Sequence, residues 1–536
     1  MDQSTDEELK IVVRKNVYYV SKKFICSVVP YFEKIFCDDL LKPKENKVEL
    51  DFDEHNFDSV LNWIHCGSFL IQLEDVIDIF EVADHLMISD RLFKPCLKYF
   101  QDNFNIEHIP LFLSKVTKTT KLINLQVIDN FICRHFLLIA NTNIFLQYPV
   151  ETVEHILKLD LMIYSEYQVF EAIIRWVNKR TGSRKRLLPR LLNCVRWSFM
   201  DPVDVTKIKN AKLIKGLSNL DSIISPDCEY GFNRSKQNFF ISIDRIDDSN
   251  LTINVFDTEL FRLPIGAFTQ DDSISLGFIP RENISDIVFD SGRKGIRIDW
   301  SKKTFRWLDM EGDNENRYNQ LTNIIVKFLT QSGFRKYDFS LKLQLLQNLN
   351  SLACYLEEKD TKPNLYSTHG VFLESVNKYI AIGKTEDEKK WCGHFPVVPP
   401  DWCYFDKKPD QSFHATILDK VVYILTEELE FIQFNHETRS FNKSYPFKGQ
   451  KWSFNDLILT SQQSKDDKVI LVNKSSGKIH VYLINQEKWI EKYRIMNVNF
   501  YSDSSNAPAN QLIAFASTFL QTKYIKPLYK RKFCDL

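Results

Sequence analysis

The sequence predicts a multidomain protein that is α+β at its N-terminus and all-β at its C-terminus. At 536 residues the chain is longer than one ordinary domain. A composition of 44% hydrophobic and 26% charged residues is enough to bury sizeable cores, which excludes a largely disordered protein. The pattern of apolar residues changes from helical to strand-like after about residue 238.

Charge, chain start and cysteines narrow the functional classes. Lys plus Arg and Asp plus Glu are both 70, so no global field draws the chain to nucleic acid or to an anionic membrane. The first nine residues are acidic and do not read as a secretory signal, and no apolar run approaches the roughly 20 residues of a membrane span. The 11 cysteines are scattered and odd in number, which indicates reduced thiols and a cytoplasmic protein, with the nucleus as the second possibility.

Residues 9–104 alternate short strands with amphipathic helices. Two β-like runs around a polar turn predict a hairpin over residues 10–20, and a further strand is predicted over 47–50. The predicted helices, each with apolar residues at a spacing of three or four, cover residues 21–36, 56–65 and 73–87.

Residues 105–225 read as almost wholly helical. The clearest helices are predicted over residues 122–139, 150–158, 166–179 and 187–195. Glycine is nearly absent and the loops are short, which is typical of stacked helical hairpins. The polar residues 226–237 are predicted to be a linker.

Residues 238–536 consist of short strands that repeat. Residues 419–425 and 467–472 begin alike and lie 48 residues apart, and each is followed by two aromatic residues seven positions apart. These aromatic pairs are Phe434 with Phe441, Tyr482 with Trp489, and an earlier copy, Trp300 with Trp307. A strand repeat of roughly 50 residues predicts the blades of a β-propeller. We expect each pair to flank the turn between the last two strands of a blade and to fill the space between blades; a β-sandwich with coincidental spacing is the alternative.

Several motifs carry a resemblance to a known family. The segment 27–36, SVVPYFEKIF, resembles the "SSPYFxxMF" helix of the BTB fold, and residues 63–67 and 82–86 resemble its "hhYTG" turn and "AADxL" helix. Residues 157–166 resemble the "LLxSDxLxVxSE" stretch of the BACK domain. The chain therefore resembles the kelch-like family, with a BTB domain at 1–104, a BACK domain at 105–225 and a degenerate kelch propeller at 238–536. The kelch Gly-Gly doublet occurs nowhere, and Thr426-Glu-Glu428 stands at its expected place.

The resemblance implies a non-enzymatic adaptor without a cofactor. In that family the BTB domain forms homodimers and docks on the ubiquitin-ligase scaffold cullin-3, the BACK domain extends the dock, and the propeller holds a protein client. The cullin-contact motif, hydrophobic-x-Glu, falls at Leu40, Leu41 and Lys42, where the lysine reverses the charge. Ser21 replaces a usual histidine, and about eight residues precede the first strand, too few for the usual dimerisation helix. These departures favour the alternative function, a non-ligase or cytoskeletal (actin-associated) scaffold.

No motif indicates catalysis. The 15 glycines form no phosphate-cradling loop, and no local signature marks a catalytic cysteine. Cys392, His394 and Cys403 are the best metal-like group, but close ligand pairs and a fourth ligand are missing. We expect no metal and interpret these residues as loop residues at a blade edge.

Two basic stretches and three tryptophans are the remaining candidate surfaces. Residues 179–190 are expected to be a solvated loop, and residues 523–532 a tail or the closing strand of the propeller; nucleic-acid binding is not expected of either. Trp391, Trp402 and Trp452 either line a peptide-binding face or fill the space between blades.

Overall fold

The computed structural model of the protein describes most, but not all, of the chain. It describes residues 7–37, 46–68, 71–211, 213–215, 223–224, 233–276, 283–290, 294–308, 371–375, 378–384, 390–395, 403–406, 413–418, 420–435, 437–438, 440–462, 468–494 and 511–525. Between 371 and 406 it describes the backbone. The chain divides into two compact units, a first unit of residues before 230 and a second unit of residues 230–527.

A three-stranded sheet opens the first unit. Strands β1 (Glu8–Val13) and β2 (Asn16–Ser21) form the predicted hairpin, and β3 (Lys47–Leu50) pairs in parallel with β1. Apolar residues alternate along β1 because successive side chains point to opposite faces of a sheet, which buries Leu9, Ile11 and Val13 completely.

Helices pack against this sheet, and one prediction here was wrong. The helix expected over residues 21–36 is two helices, α1 (Lys22–Val28) and α2 (Pro30–Cys37). The break lies at Val29, whose backbone is extended (φ −123°, ψ 103°), because a residue before proline disfavours the helical conformation. Helices α3 (Glu54–Cys66), α4 (Val76–His85) and α5 (Ser89–Asn103) follow.

The rest of the first unit is helical, as predicted. Its helices are α6 (Ile109–Lys115), α7 (Leu125–Ala140), α8 (Val150–Lys158), α9 (Glu166–Lys179), α10 (Thr181–Arg184), α11 (Leu188–Leu192) and α12 (Pro202–Lys209). Buried polar groups join them: the Tyr148 hydroxyl donates to the carbonyl of Ile106, and Trp176 Nε1 donates to the carbonyl of Tyr148 at 3.0 Å. Among the described residues, no helix is long and apolar enough to cross a membrane.

The described part of the second unit is built of β-strands. In chain order they are β4 (Lys236–Arg245), β5 (Asn250–Phe256), β6 (Arg262–Gln270), β7 (Ile284–Phe289), β8 (Lys294–Asp299), β9 (Thr304–Leu308), β10 (Val371–Ser375), β11 (Lys378–Lys384), β12 (Lys390–Phe395), β13 (Cys403–Asp406), β14 (Phe413–Leu418), β15 (Val421–Thr426), β16 (Phe431–Asn435), β17 (Phe441–Ser444), β18 (Leu457–Gln462), β19 (Lys468–Asn473), β20 (Lys478–Leu483), β21 (Lys488–Arg494) and β22 (Gln511–Gln521).

The strands form small antiparallel sheets in sequence order. Three sheets have four consecutive strands each, β10–β13, β14–β17 and β18–β21. In a further sheet of order β22-β4-β5-β6-β9-β8-β7, a short parallel pairing of β6 with β9 joins two groups of strands. The strand at one edge of each sheet lies beside the corresponding strand of the next sheet, in the order β10, β14, β18 and β22. Strand β22 also neighbours β7. Small sheets that meet through these edge strands form a propeller-like arrangement. Strand β22, the last in the chain, belongs to the same sheet as β4.

Apolar layers fill the spaces between these sheets. One layer joins the β14–β17 sheet to the β18–β21 sheet and includes Leu425, Phe431, Leu459 and Leu471. The next joins β18–β21 to strands β4, β5 and β22 and includes Ile470, Val481, Phe240 and Phe515. The β18–β21 sheet thus buries both faces against its neighbours, which is how propeller blades obtain their cores.

Candidate protein-interaction surfaces

The predicted cullin-facing residues Leu40, Leu41 and Lys42 lie outside the described residues. Asn46, the first described residue after them, is held by Lys22. Its ammonium donates to Glu7 Oε2 at 3.0 Å and to Asn46 Oδ1 at 2.9 Å. Ser21, which replaces the histidine expected from the family resemblance, caps α1 by accepting the N–H of Phe24 at 3.1 Å. Its structural role is therefore that of a helix cap.

Aromatic rings and histidines form contacts on the surface of the first unit. The exposed His85 ring lies 4.9 Å from Tyr31 and 5.1 Å from Phe52, and Phe24 lies 5.1 Å from His65. Partial burial raises the pKa of Tyr31. Five large apolar side chains of this region are exposed: Val17, Tyr19, Phe24, Met87 and Phe93. Aromatic residues and methionine are enriched in protein interfaces, so these side chains are candidate contacts for a protein partner.

Ion pairs attach the later helices of the first unit to the earlier ones. Lys115, the last residue of α6, donates to Asp78 Oδ2 and to the carbonyl of Glu74, both at 2.6 Å. Lys121 pairs with Asp84 at 2.6 Å. Both carboxylates lie on α4, so α4 connects the sheet-containing part of the unit to the helical part.

Two of the three predicted aromatic pairs lie directly opposite each other. Phe434 on β16 faces Phe441 on β17, and Tyr482 on β20 faces Trp489 on β21, in both cases across the turn between the last two strands of a sheet. Trp300 and Trp307 share the same spacing but not the register. Trp300 lies beyond the end of β8, and Trp307 pairs with Ile296. The prediction that these two residues flank the turn as an opposed pair was therefore wrong.

Burial also differs among these six residues. Phe434, Tyr482 and Trp300 are at most 3% exposed, whereas Trp307 and Trp489 are half-buried. Phe441 is 53% exposed and therefore lies outside the core that the sequence predicted for it. It sits on β17, the edge strand of its sheet, and its ring contacts the ammonium of Lys443 at 5.5 Å instead of a neighbouring sheet.

Tyr482 and Trp489 belong to an aromatic layer between two sheets. Trp489 lies 5.1 Å from Phe431 and 5.3 Å from Phe447, and Phe447 lies 4.9 Å from Trp452. Trp452 thus packs between sheets, the second of its two interpretations. Trp402 and the side chain of Trp391 lie outside the described residues.

The three residues considered as metal ligands were predicted to lie in loops, but they lie on strands. Cys392 and His394 are on β12, Cys403 is on β13, and Cys392 and Cys403 are paired in the sheet register. Their side chains lie outside the described residues. His414, the nearest described histidine, stacks on Phe454 at 4.3 Å. The described part of the chain contains no group of three or more residues placed to hold a metal ion.

The two basic stretches differ from expectation. Residues 179–190 include the one-turn helix α10 and the buried Arg184, so the stretch is a solvated loop only in part. Lys523 and Tyr524 lie in a helical turn directly after β22, which is itself the closing strand. The rest of the second stretch lies outside the described residues.

At the place of the missing Gly-Gly doublet a different turn has formed. Thr426 Oγ1 accepts the N–H of Glu430 at 3.2 Å, and Leu429 adopts a positive φ of 61°. That conformation is usual for glycine and strained for leucine. The turn at this place therefore contains a left-handed residue without a glycine, and no feature of the sequence had pointed to Leu429.

Comparisons with known proteins match the first unit in two adjacent stretches. Residues 1–104 match the BTB/POZ domain, and residues 111–209 match the domain described as "BTB And C-terminal Kelch", abbreviated BACK. The BTB domain of human gigaxonin covers 17% of this chain at 20% identity and a TM-score of 0.15, with 75% of that structure covered.

Two curated kelch-like proteins match about a third of the chain. Kelch-like protein 6 from Homo sapiens is 30% identical over 175 residues, 32% of this chain and 28% of the relative. Kelch-like protein 40a from Danio rerio is 28% identical over 179 residues, 33% of this chain and 29% of the relative. The matched region thus spans less than a third of either relative's own length.

Proposed function

The chain is a BTB-BACK-kelch family protein, and from this premise we propose that it is an adaptor that brings a protein client to a cullin-3 ubiquitin ligase. The observation that carries the proposal is the order of domains: a BTB/POZ domain, a BACK domain and a strand-rich, propeller-like region. Adaptors of this family are in general not catalytic, and we propose no catalytic activity and no cofactor for this chain.

In this proposal the two units have separate tasks. The first unit supplies the scaffold contact, with Leu40 and Leu41 buried against the scaffold and Lys42 at the rim. The second unit binds the client through its loops, since binding residues concentrate on loops held by a rigid framework. The adaptor contributes effective concentration, because the client is held near the ubiquitin-charged partner. A BTB homodimer would double the number of clients held by one assembly.

Lys42 sets the expected strength of the scaffold contact. A lysine in place of a glutamate removes a polar contact and leaves the partner group unpaired, which costs on the order of 1–3 kcal/mol. That corresponds to roughly a tenfold to hundredfold loss of affinity. The rest of the surface, including the rings around His85, would have to offset this loss for binding to persist.

The test is a calorimetric titration of the full chain with the N-terminal region of cullin-3. Sub-micromolar binding by the native chain supports the adaptor, and Lys42→Glu should then bind about tenfold or more tightly. Lys23→Glu, at an exposed lysine of α1, is the control for the change in net charge. Absence of binding by the native chain, with binding gained by Lys42→Glu, would contradict the adaptor proposal.

The second candidate is a protein-interaction scaffold outside the ligase system, of the actin-associated kind. Lys42, at the position of the family's glutamate, is the observation that favours it. Co-sedimentation of the full chain with filamentous actin distinguishes the two. Actin binding together with no cullin-3 binding would select the scaffold.

We also propose that the protein works in the cytoplasm, with the nucleus as the second location. The scattered cysteines support this proposal, because an odd number without paired motifs suits a reducing compartment. Immunofluorescence of the tagged full chain tests it, and secretion into the medium would contradict it.

A further inference from the structure

A segment of the helical part of the first unit is strongly basic although the whole chain is electrically balanced. Residues 172–200 contain no Asp or Glu. They contain eight basic residues, Arg175, Lys179, Arg180, Arg184, Lys185, Arg186, Arg190 and Arg196. The charge of this segment is therefore compensated, if at all, by carboxylates from other parts of the fold.

Four of the eight have a structural partner. Arg190 Nε donates to Glu154 at 2.7 Å and Arg196 donates to Asp160 at 2.5 Å. Arg175 donates to the carbonyl of Ala140, at the end of α7, at 3.2 Å. Arg184 is 6% exposed, lies 3.7 Å from the centre of the Trp176 ring and donates to two backbone carbonyls. The charged groups of these four residues are thus engaged within the fold.

The other four, Lys179, Arg180, Lys185 and Arg186, are exposed. We call them the basic loop cations. Among the described residues, no carboxylate forms an ion pair with any of them. They flank the buried Arg184, and Leu188, fully buried, follows them. The loop is thus anchored in its middle and at its end while its charges face water.

An anchored loop with unpaired cations is suited to bind an anion. Like charges close together repel each other, so the cluster lowers stability unless an opposite charge approaches. The buried Arg184 and Leu188 hold the backbone of the loop, so little backbone entropy is lost when a partner binds. Arginine also binds carboxylates through two parallel hydrogen bonds. We propose that the basic loop cations form a docking site for an acidic segment of a partner protein.

Two features favour an acidic protein segment over a nucleic acid. Residues 179–190 contain no aromatic residue, and Trp176 is buried beneath Arg184, so the loop offers no stacking platform for bases. The cations also occupy a single short loop, whereas a nucleic-acid site needs basic residues along a broad face. The proposal is independent of the adaptor function, since neither cullin-3 nor the second unit enters the argument.

The test measures binding of a fluorescein-labelled peptide of twelve glutamates to the full chain by fluorescence anisotropy. The expected dissociation constant rises by about tenfold between 50 and 200 mM NaCl, because salt screens exposed charges. The quadruple variant Lys179→Glu, Arg180→Glu, Lys185→Glu and Arg186→Glu should bind at least about tenfold more weakly than the native chain. A second quadruple variant, with glutamine at the same positions, should show an intermediate loss.

A matched control separates this site from general electrostatics. The control variant changes four other exposed lysines of the first unit to glutamate, Lys23, Lys94, Lys98 and Lys118, and so alters net charge equally. It should bind the peptide nearly as tightly as the native chain. Equal weakening in the loop and control variants overturns the proposal, provided that thermal melting shows both to be folded. Tighter binding of a twelve-nucleotide oligothymidine than of the peptide also overturns it and assigns the loop to nucleic acid.

Discussion

At the scale of single residues, the histidine in the middle of α7 makes the first unit sensitive to acid. His135 is 6% exposed and lies 4.7 Å from the Phe131 ring. Burial, together with the nearby charge of Arg134, lowers the pKa of His135 from 6.5 to about 4. The folded protein therefore keeps this ring neutral at a pH where the unfolded chain would protonate it.

The sign of the pH effect follows from this lowered pKa. When the pH falls below about 6.5, His135 is protonated in the unfolded state but stays neutral in the folded state. The free energy of unfolding therefore decreases with falling pH until about pH 4. Between pH 7.5 and 5.0 we expect His135 to cost about 2 kcal/mol of unfolding free energy. Hydrogen exchange of α7 peptides, corrected for intrinsic rates, measures the loss.

The variant His135→Leu should remove this pH dependence whatever its effect on overall stability. His55→Gln, at an exposed histidine of α3, is the control and should leave the acid sensitivity of α7 unchanged, because it lies outside that helix. An undiminished acid sensitivity in His135→Leu would mean that another group is responsible.

The burial of Arg184 could not be predicted from the sequence pattern. A basic run with Thr181 and Gly182 indicates a solvated loop, and its neighbours Lys185 and Arg186 are indeed exposed. Arg184 is buried because the ring face of Trp176, on the preceding helix, and two backbone carbonyls lie within reach of the guanidinium. Such a cation–π contact depends on the tertiary positions of both residues, so the sequence could not predict it.

At the scale of elements, periodicity located most helices and strands, and its failures have local causes. Residues 150–158 and 166–179 are helices with the predicted bounds. The predicted helix over 21–36 failed at Pro30, where one proline overrides an apolar periodicity that continues across it. The spacing of seven between Trp300 and Trp307 failed because a fixed spacing does not determine the register of a hairpin.

The strand that completes the propeller-like region was the element hardest to recognise. β22 pairs with β4 although more than 260 residues separate them, and no local pattern encodes such a pairing. The basic, aromatic residues 523–532 drew attention to the segment after the strand. The pairing brings apolar residues of both strands together: Phe515 lies 5.4 Å from Phe240 in the layer that β22 covers.

We predict that folding of the second unit requires β22. A chain that ends at Asn510 loses the strand, leaves β4 with an unpaired edge and uncovers its apolar layer, and should therefore aggregate. A chain that ends at Ile525 keeps the whole strand and is the matched control. Size-exclusion chromatography and calorimetry of both chains measure the effect. A monodisperse Asn510 chain with an unchanged calorimetric profile would refute the role of β22.

At the scale of the whole molecule, the order of domains was predictable and the faces that meet partners were less so. The motifs at 27–36 and 157–166 are local, and the blade repeat is periodic, so both survive in a single sequence. Exposure at a sheet edge is a tertiary property. Phe441 and Trp489 occupy the same position in the repeat, yet Phe441 is 53% exposed whereas Trp489 packs against Phe431 and Phe447.

The zero net charge of the whole chain affects its solubility. With 70 basic and 70 acidic residues and an isoelectric point of about 7.1, the molecules do not repel one another at neutral pH. We expect solubility, measured by precipitation with polyethylene glycol, to be lowest near pH 7 and to rise on either side.

The double variant Lys23→Glu with Lys94→Glu, which shifts the net charge by about −4, should raise solubility at pH 7. Lys94→Glu with Glu171→Lys changes as many residues but leaves the net charge at zero, and should not raise it. Equal gains in both variants would show that local patches, and not net charge, govern association of this protein.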